Sequence, residues 1–116
     1  MRQRNIRAAL CIVLFAAYAH MASACEMGKG TVTGVPSFPE CPNDIKALLT
    51  RAIGCQHFGG EIGGDGSERD QQVNAQMEKM SCDTVARDVS SLKKTYRTDS
   101  NVLKAIKETY QAYGLE

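Results

Sequence analysis

The sequence has little of what a metal centre or a nucleic-acid-binding surface requires. Its only histidines are His20 and His57, and none of its five cysteines belongs to a Cys-x-x-Cys pair. Zinc sites are usually built from such close ligand pairs, so we predict no bound metal and no other cofactor. The 14 basic residues are balanced by 13 acidic ones. This balance excludes the strongly positive surface that is typical of nucleic-acid-binding proteins.

The sequence also lacks a hydrophobic run long enough to cross a membrane. Its most apolar stretch, residues 8–19, is about a dozen residues long, whereas a membrane span needs roughly 20. Three arginines and no acidic residue precede this stretch, and the small residues Ala22-Ser23-Ala24 follow it. This pattern predicts a signal peptide over residues 1–24 that is cleaved on export, which leaves a mature protein in the periplasm or outside the cell.

Cleavage after Ala24 would make Cys25 the first mature residue. A lipoprotein signal also ends in small residues before a cysteine, but it usually has a leucine three positions before that cysteine, where this sequence has Ala22. A lipid anchor on Cys25 is therefore the less favoured alternative. The mature part keeps 11 basic and 13 acidic residues, a net charge of −2, which predicts no polybasic membrane patch.

Four cysteines remain after the leader: Cys25, Cys41, Cys55 and Cys82. An even number in a short exported chain predicts a disulfide framework, and four cysteines allow three connectivities. A bridge between Cys55 and Cys82 would clamp the helical core, because it would join the first helical segment to the later ones. Cys25 and Cys41 would then tie down the N-terminal arm. Sequence alone leaves the three connectivities open.

Hydrophobic periodicity divides the mature chain into an irregular arm over residues 25–41 and a helical domain over residues 42–116. The arm is rich in Gly, Pro, Ser and Thr, and a short extended piece fits only at residues 31–35. Inside the domain, five glycines within residues 59–66 predict a loop. Ser67, with Asp70 as its partner, predicts the N-cap of the helix that follows this loop.

Four short amphipathic helices are expected in the domain. The first should start near Pro42 or Asn43 and end at Gly59-Gly60, and a turn at residues 97–99 should separate the last two. In chain order, the apolar stripes predicted to form the core are Ile45, Leu48, Leu49, Ala52 and Ile53; Val73, Met77 and Met80; Cys82, Val85, Val89, Leu92 and Tyr96; and Val102, Leu103, Ile106, Tyr110 and Tyr113. None of these helices is long enough to be stable alone. The sequence therefore predicts an all-α fold, a small bundle of about four helices that disulfides help to hold together.

The residues around the glycine-rich loop are the candidates for chemistry. His57 and Glu61 could form an acid–base pair, and with Asp65 they could bind one zinc ion, although the glycines between them provide no rigid spacing. The acidic loop that follows lacks the alternating oxygen ligands of a calcium-binding EF-hand. No nucleophile accompanies them, because Ser67 serves as a cap and the cysteines as bridges. The favoured interpretation is structural: Glu61 and Arg69 form an ion pair that closes the loop onto the second helix.

The same segment resembles a family of small exported proteobacterial proteins of uncharacterised function. Their shared pattern is Cys-x-His-aromatic-x-Gly-Glu, followed by an Asp, an Arg and a later Cys. In this chain the pattern is filled by Cys55, His57, Phe58, Gly60, Glu61, Asp65, Arg69 and Cys82. The chain departs from the pattern of that family in having Gly64 before the Asp, where an aromatic residue is common, and a spacing of four rather than three to the Arg. The resemblance implies a shared fold and a Cys55–Cys82 bridge, and it implies no activity.

The small size, the bridges and the missing nucleophile favour a non-enzymatic exported protein that binds another protein, as an inhibitor, an immunity-type partner or an accessory factor. The alternative is a minimal hydrolase or metal-dependent enzyme that uses His57 and Glu61. Bound metal would support the enzyme, and a specific protein partner would support the binding protein. Phe58, Met77 and Met80 are expected in the core rather than on a binding surface.

Overall fold

A computed structural model describes residues 25–28 and 36–115, so the predicted signal peptide and the extended piece at 31–35 lie outside the described residues. Within this part, the chain forms four α-helices and no strand: α1 (Asn43–Gly60), α2 (Glu68–Lys79), α3 (Val85–Thr95) and α4 (Ser100–Tyr113). A short 3₁₀ turn, Cys82–Thr84, precedes α3. None of the helices described is both long and apolar enough to span a bilayer. The prediction of a disulfide-stapled all-α bundle is confirmed.

α1 is the central element, since α2, α3 and α4 all pack against it. Its apolar stripe is buried as the sequence predicts and consists of Ile45, Leu48, Leu49, Ala52 and Ile53. Val73 of α2, Val89 of α3 and Ile106 of α4 are buried as well. Removing an aliphatic side chain of this size from water contributes about 1.5–3 kcal/mol. Burial along α1 is therefore the main source of stability.

α2 and α4 begin at side-chain caps. Ser67 Oγ accepts a hydrogen bond from Asp70 N at 3.3 Å, which confirms the predicted cap. Asp99 Oδ1 accepts one from Val102 N at 3.1 Å. Such bonds satisfy amide groups that the first turn of a helix leaves without a partner. α1 begins directly after Pro42 and has no side-chain cap.

The buried face of α4 differs from its predicted stripe. Val102 and Ile106 are buried as expected, but the other fully buried positions are Ala105 and Thr109. The hydroxyl of Thr109 donates to Ala105 O at 2.8 Å, so it is buried without an unsatisfied donor. The predicted residues that are only half-buried are Leu103, Tyr110 and Tyr113. The contact of α4 with the core is therefore made by small residues as well as by Val102 and Ile106.

Phe58, Met77 and Met80 are not core residues, contrary to the prediction. All three are half-buried and lie outside the main core cluster. For the two methionines the reason is the composition of α2, which buries one apolar residue, Val73, among mostly polar ones. Phe58 lies near the end of α1, beyond the buried stripe of that helix, which ends at Ile53. Met80 instead covers Gly54, where a Cβ would come within 2.5 Å of the methionine Cε. A side chain at position 54 would therefore displace Met80.

Two polar contacts hold α1 to the α3 segment. The Arg51 guanidinium donates to Asp88 Oδ2 and lowers the pKa of that carboxyl, and Oδ2 also accepts from the Thr84 hydroxyl at 2.9 Å. Nearer the start of α1, the Tyr96 hydroxyl donates to Asp44 Oδ1 at 2.9 Å, and this bond raises the pKa of Tyr96. Both contacts reach solvent, so they orient the helices more than they stabilise them.

The irregular arm contributes to the core. Cys25 is bonded to Cys41, with 4.2 Å between their Cα atoms, and Phe38 is buried in the same cluster as the two cysteines. Gly28 N donates a hydrogen bond to Ser37 O at 2.7 Å, which links the two described parts of the arm, residues 25–28 and 36–41. Because the sulfur of Cys25 is part of a disulfide, it has no thiol to carry an acyl chain, which argues against the lipid anchor.

Candidate functional site

The Cys55–Cys82 disulfide joins the C-terminal half of α1 to the 3₁₀ turn before α3, with 5.6 Å between the two Cα atoms. With Cys25–Cys41, it gives one of the three connectivities that the sequence leaves open, the one in which Cys55–Cys82 clamps the helical core. Ser81, directly before Cys82, has a positive φ of 52°, a backbone conformation that residues other than glycine seldom adopt. Two disulfides in so small a chain indicate an oxidising environment.

His57, Glu61 and Arg69 form a chain of contacts at the end of α1. His57 Nε2 lies 2.9 Å from Glu61 Oε1, and Arg69 Nη2 contacts Glu61 Oε2. The predicted ion pair is therefore present, and His57 extends it. Phe58 meets the His57 ring edge-on, with 5.4 Å between centroids, and Gly60 is the last residue of α1. The His57 and Arg69 side chains are 68% and 60% exposed, so the motif lies on the protein surface.

Replacing His57, Glu61 or Arg69 by alanine is expected to change the free energy of unfolding by no more than about 1 kcal/mol. Ion pairs between exposed side chains contribute little, because water screens them and long side chains lose freedom when they pair. The double variant E61A/R69A should cost less than the sum of the single variants, since the pair is lost only once. Urea denaturation measures these changes. A loss of several kcal/mol for H57A would contradict this expectation.

One carboxylate, that of Asp70, holds the glycine-rich loop. Its Oδ1 accepts from Gly63 N at 2.8 Å, and its Oδ2 accepts from Asp65 N at 3.0 Å and Gly66 N at 3.2 Å. The bond from Gly63 is the main cause of a lowered pKa for Asp70, which is only 4% exposed. Gly66 has φ 67°, which glycine adopts without steric cost. The sequence predicted Asp70 only as the partner of the Ser67 cap.

Asp65 has a local role in the same loop. Its Oδ1 accepts a hydrogen bond from Ser67 N at 2.9 Å, and this bond lowers the pKa of the Asp65 carboxyl. The zinc ligand set of His57, Glu61 and Asp65 is not assembled. Across residues 25–28 and 36–115, no three His, Cys, Asp or Glu side chains are grouped in a way that could hold a metal ion.

An apolar groove of about 440 Å³ opens beside the Cys55–Cys82 disulfide, and we call it the disulfide groove. All four helices and the C-terminal end contribute to it, through Ala52, Cys55, Gln56, Gly59, Met77, Cys82, Val85, Ala86, Val89, Ser90, Lys93, Tyr110 and Leu115. The disulfide joins two of its walls, α1 and the segment that begins α3. The shape of the groove therefore depends on that bond.

Lys93 is the charged residue that lines the disulfide groove. Its Nζ lies 5.6 Å from the centroid of the Tyr110 ring, within cation–π distance. Burial raises the pKa of the Tyr110 hydroxyl further above physiological pH, at which an ordinary tyrosine is already neutral. The groove thus combines an apolar floor with one positive charge. It was not predicted from sequence, because its walls meet only once the helices have packed.

Comparison of the chain with protein-family models, with curated proteins and with solved structures found no match. The resemblance to small exported proteobacterial proteins therefore stays a prediction.

Proposed function

We propose that the mature chain is an exported, non-enzymatic binding protein of the inhibitor type, which acts in the periplasm or outside the cell. In this proposal it binds a partner protein through the disulfide groove. The observation that carries the proposal is the groove itself, because binding sites are typically concave, mainly apolar and supplied with a few polar groups. Export is supported by the predicted signal peptide and by the two disulfides, which persist in oxidising compartments.

The occupant that fits the disulfide groove is an apolar side chain of the partner that stands next to an acidic residue. The apolar lining accepts the first, and a carboxylate can pair with Lys93 Nζ at the wall. Gln56 and Ser90, both exposed, offer hydrogen bonds to the partner backbone. An anchor of this kind, buried in a pocket and bordered by polar contacts, supplies most of the energy in many protein interfaces.

Selection from a random peptide library is expected to enrich an apolar residue adjacent to Asp or Glu. Ala86→Lys should weaken the selected peptides at least about tenfold, a loss of about 1.4 kcal/mol, because it places a long charged side chain in the groove. Ser91→Lys is the matched control: it adds the same residue at another exposed position of α3, outside the lining, and should leave binding unchanged. Calorimetry measures both.

The role of Lys93 can be tested in the same selection. With Lys93→Glu as bait, the residue beside the apolar anchor should change from acidic to basic, since the charge it must match is reversed. A consensus that is unchanged by Lys93→Glu, or peptides that bind the Ala86→Lys variant as well as the original protein, would place the binding surface elsewhere.

A second candidate function is supported by the 2.9 Å contact between His57 and Glu61. A carboxylate at this distance can orient an imidazole for general acid–base catalysis. If the protein is an enzyme of this kind, metal should copurify with it, or it should hydrolyse a model ester or peptide. The variant His57→Ala should then lose that hydrolysis. The same variant is expected to leave peptide binding at the disulfide groove intact, so the two functions give different results.

A further inference from the structure

A second groove lies on another side of α1, between its first half and the turn that ends α2. It is shallow, has a volume of about 750 Å³, and we call it the lysine groove. Its polar lining residues are Asn43, Lys46, Thr50, Arg51, Lys79 and Ser81. No residue of this lining belongs to the disulfide groove. The lysine groove therefore needs its own explanation.

The lining of the lysine groove carries positive charge that no lining residue neutralises. Lys46, Arg51 and Lys79 are basic, and none of the lining residues is acidic. Arg51 is paired with Asp88, which lies outside the groove. Lys46 and Lys79 form no salt bridge within residues 25–28 and 36–115. The whole mature chain has a net charge of −2, so this concentration of cations is a local feature.

The donors of the lysine groove come from two separate elements. Lys46 and Thr50 lie four residues apart on α1, and therefore on one face of it, while Lys79 and Ser81 end α2 and follow it. Ammonium and hydroxyl groups together suit an anion with several oxygens around one centre, because each donor can find its own acceptor. A single carboxylate has only two oxygens.

We propose that the lysine groove binds a phosphate group, held by Lys46 and Lys79 from opposite sides, with the Thr50 and Ser81 hydroxyls as additional donors. The phosphate belongs either to a lipid headgroup or to a small soluble molecule. The site is independent of the disulfide groove, so it adds a second ligand to a protein that is proposed to bind another protein. Blocking one groove should leave binding at the other unchanged.

The test uses the protein with both disulfides formed, labelled with ¹⁵N and titrated with inorganic pyrophosphate at constant ionic strength. Saturable chemical-shift changes are expected at residues 43–51 and 79–81. The variant K46Q/K79Q keeps the alkyl chains and removes both charges, and should weaken binding at least about tenfold. The matched control is K94Q/K107Q, which removes two exposed lysines that line neither groove and should bind as the original protein does.

Vesicles distinguish the two sources of phosphate. Cosedimentation with phosphatidylglycerol vesicles, but not with phosphatidylcholine vesicles, and its loss in K46Q/K79Q would support the lipid headgroup. Saturable binding of pyrophosphate without cosedimentation would support a soluble phosphate. Equal losses in K46Q/K79Q and K94Q/K107Q would overturn the proposal, because binding would then follow net charge alone. Absence of saturable binding to both probes would overturn it as well. Well-dispersed spectra of the free variants, changed only near the substituted residues, establish that the variants fold.

Discussion

Replacing Asp70 by alanine is expected to lower the melting temperature by roughly 10 °C or more. The side chain is only 4% exposed and accepts hydrogen bonds from three loop amides, those of Gly63, Asp65 and Gly66. Removing it leaves all three donors without their acceptor at once, in a loop whose glycines have much conformational entropy to regain. Thermal unfolding followed by circular dichroism measures the change.

Two variants act as controls for Asp70. Glu61→Ala removes a carboxylate close by in the same region and should shift the melting temperature by a few degrees at most, since its partners are exposed. Asp70→Asn keeps the size of the side chain but places amide N–H donors next to backbone N–H donors. This variant should therefore be destabilised, as Asp70→Ala is. Equal shifts for Asp70→Ala and Glu61→Ala would show that the loop does not depend on Asp70.

The contribution of Asp70 to the stability of the folded protein also depends on pH. Its pKa is lowered in the folded protein, so the unfolded chain binds this proton more readily, and stability falls as the pH drops. The contribution is fully present above about pH 4, the ordinary range of an aspartate, and it is lost as the pH falls through the lower folded pKa. Asp70→Asn should flatten the acid side of the stability profile. An unchanged profile would show that Asp70 does not titrate differently on folding.

Helix positions were predictable because each helix is specified by neighbouring residues. α1 begins after Pro42 and ends at Gly60, as the proline and the glycine pair predict, and its apolar stripe has helical spacing. The same logic identified the Ser67 cap. It did not identify the role of Asp70, because a Ser-x-x-Asp pattern predicts a cap and contains no information on how a glycine-rich loop folds back onto the carboxylate.

Features that depend on packing were not predictable. The contact of α4 with the core uses Ala105 and Thr109, whose burial follows from how closely two helices approach and not from hydrophobicity. The positive φ of Ser81 has no local sequence signal either, since serine does not favour that conformation. Both grooves follow from such tertiary details. The sequence likewise predicts the ion pair between Glu61 and Arg69, but it does not predict that the pair lies on the surface.

Removing the Cys55–Cys82 disulfide, as C55A/C82A, is expected to destabilise the protein by about 3–4 kcal/mol, because the bond closes a 27-residue separation that the unfolded chain would otherwise explore freely. For a domain of this size the melting temperature should fall by roughly 12–30 °C. Denaturant and thermal unfolding measure the loss. Intact mass under non-reducing conditions should show one disulfide remaining in the variant and two in the original protein.

The variant C25A/C41A separates loss of stability from loss of the site. It removes a bond across a 16-residue separation, for which chain entropy gives about 3 kcal/mol, but the bond lies away from the disulfide groove. Below the melting temperatures of both variants, C55A/C82A should bind groove peptides at least about tenfold more weakly, whereas C25A/C41A should bind them normally. This difference is expected because, of the two disulfides, Cys55–Cys82 is the one that joins α1 to the segment that begins α3, and those segments are two walls of the groove. Equal peptide binding by both variants would show that helix packing alone maintains the groove and that the disulfide contributes only stability.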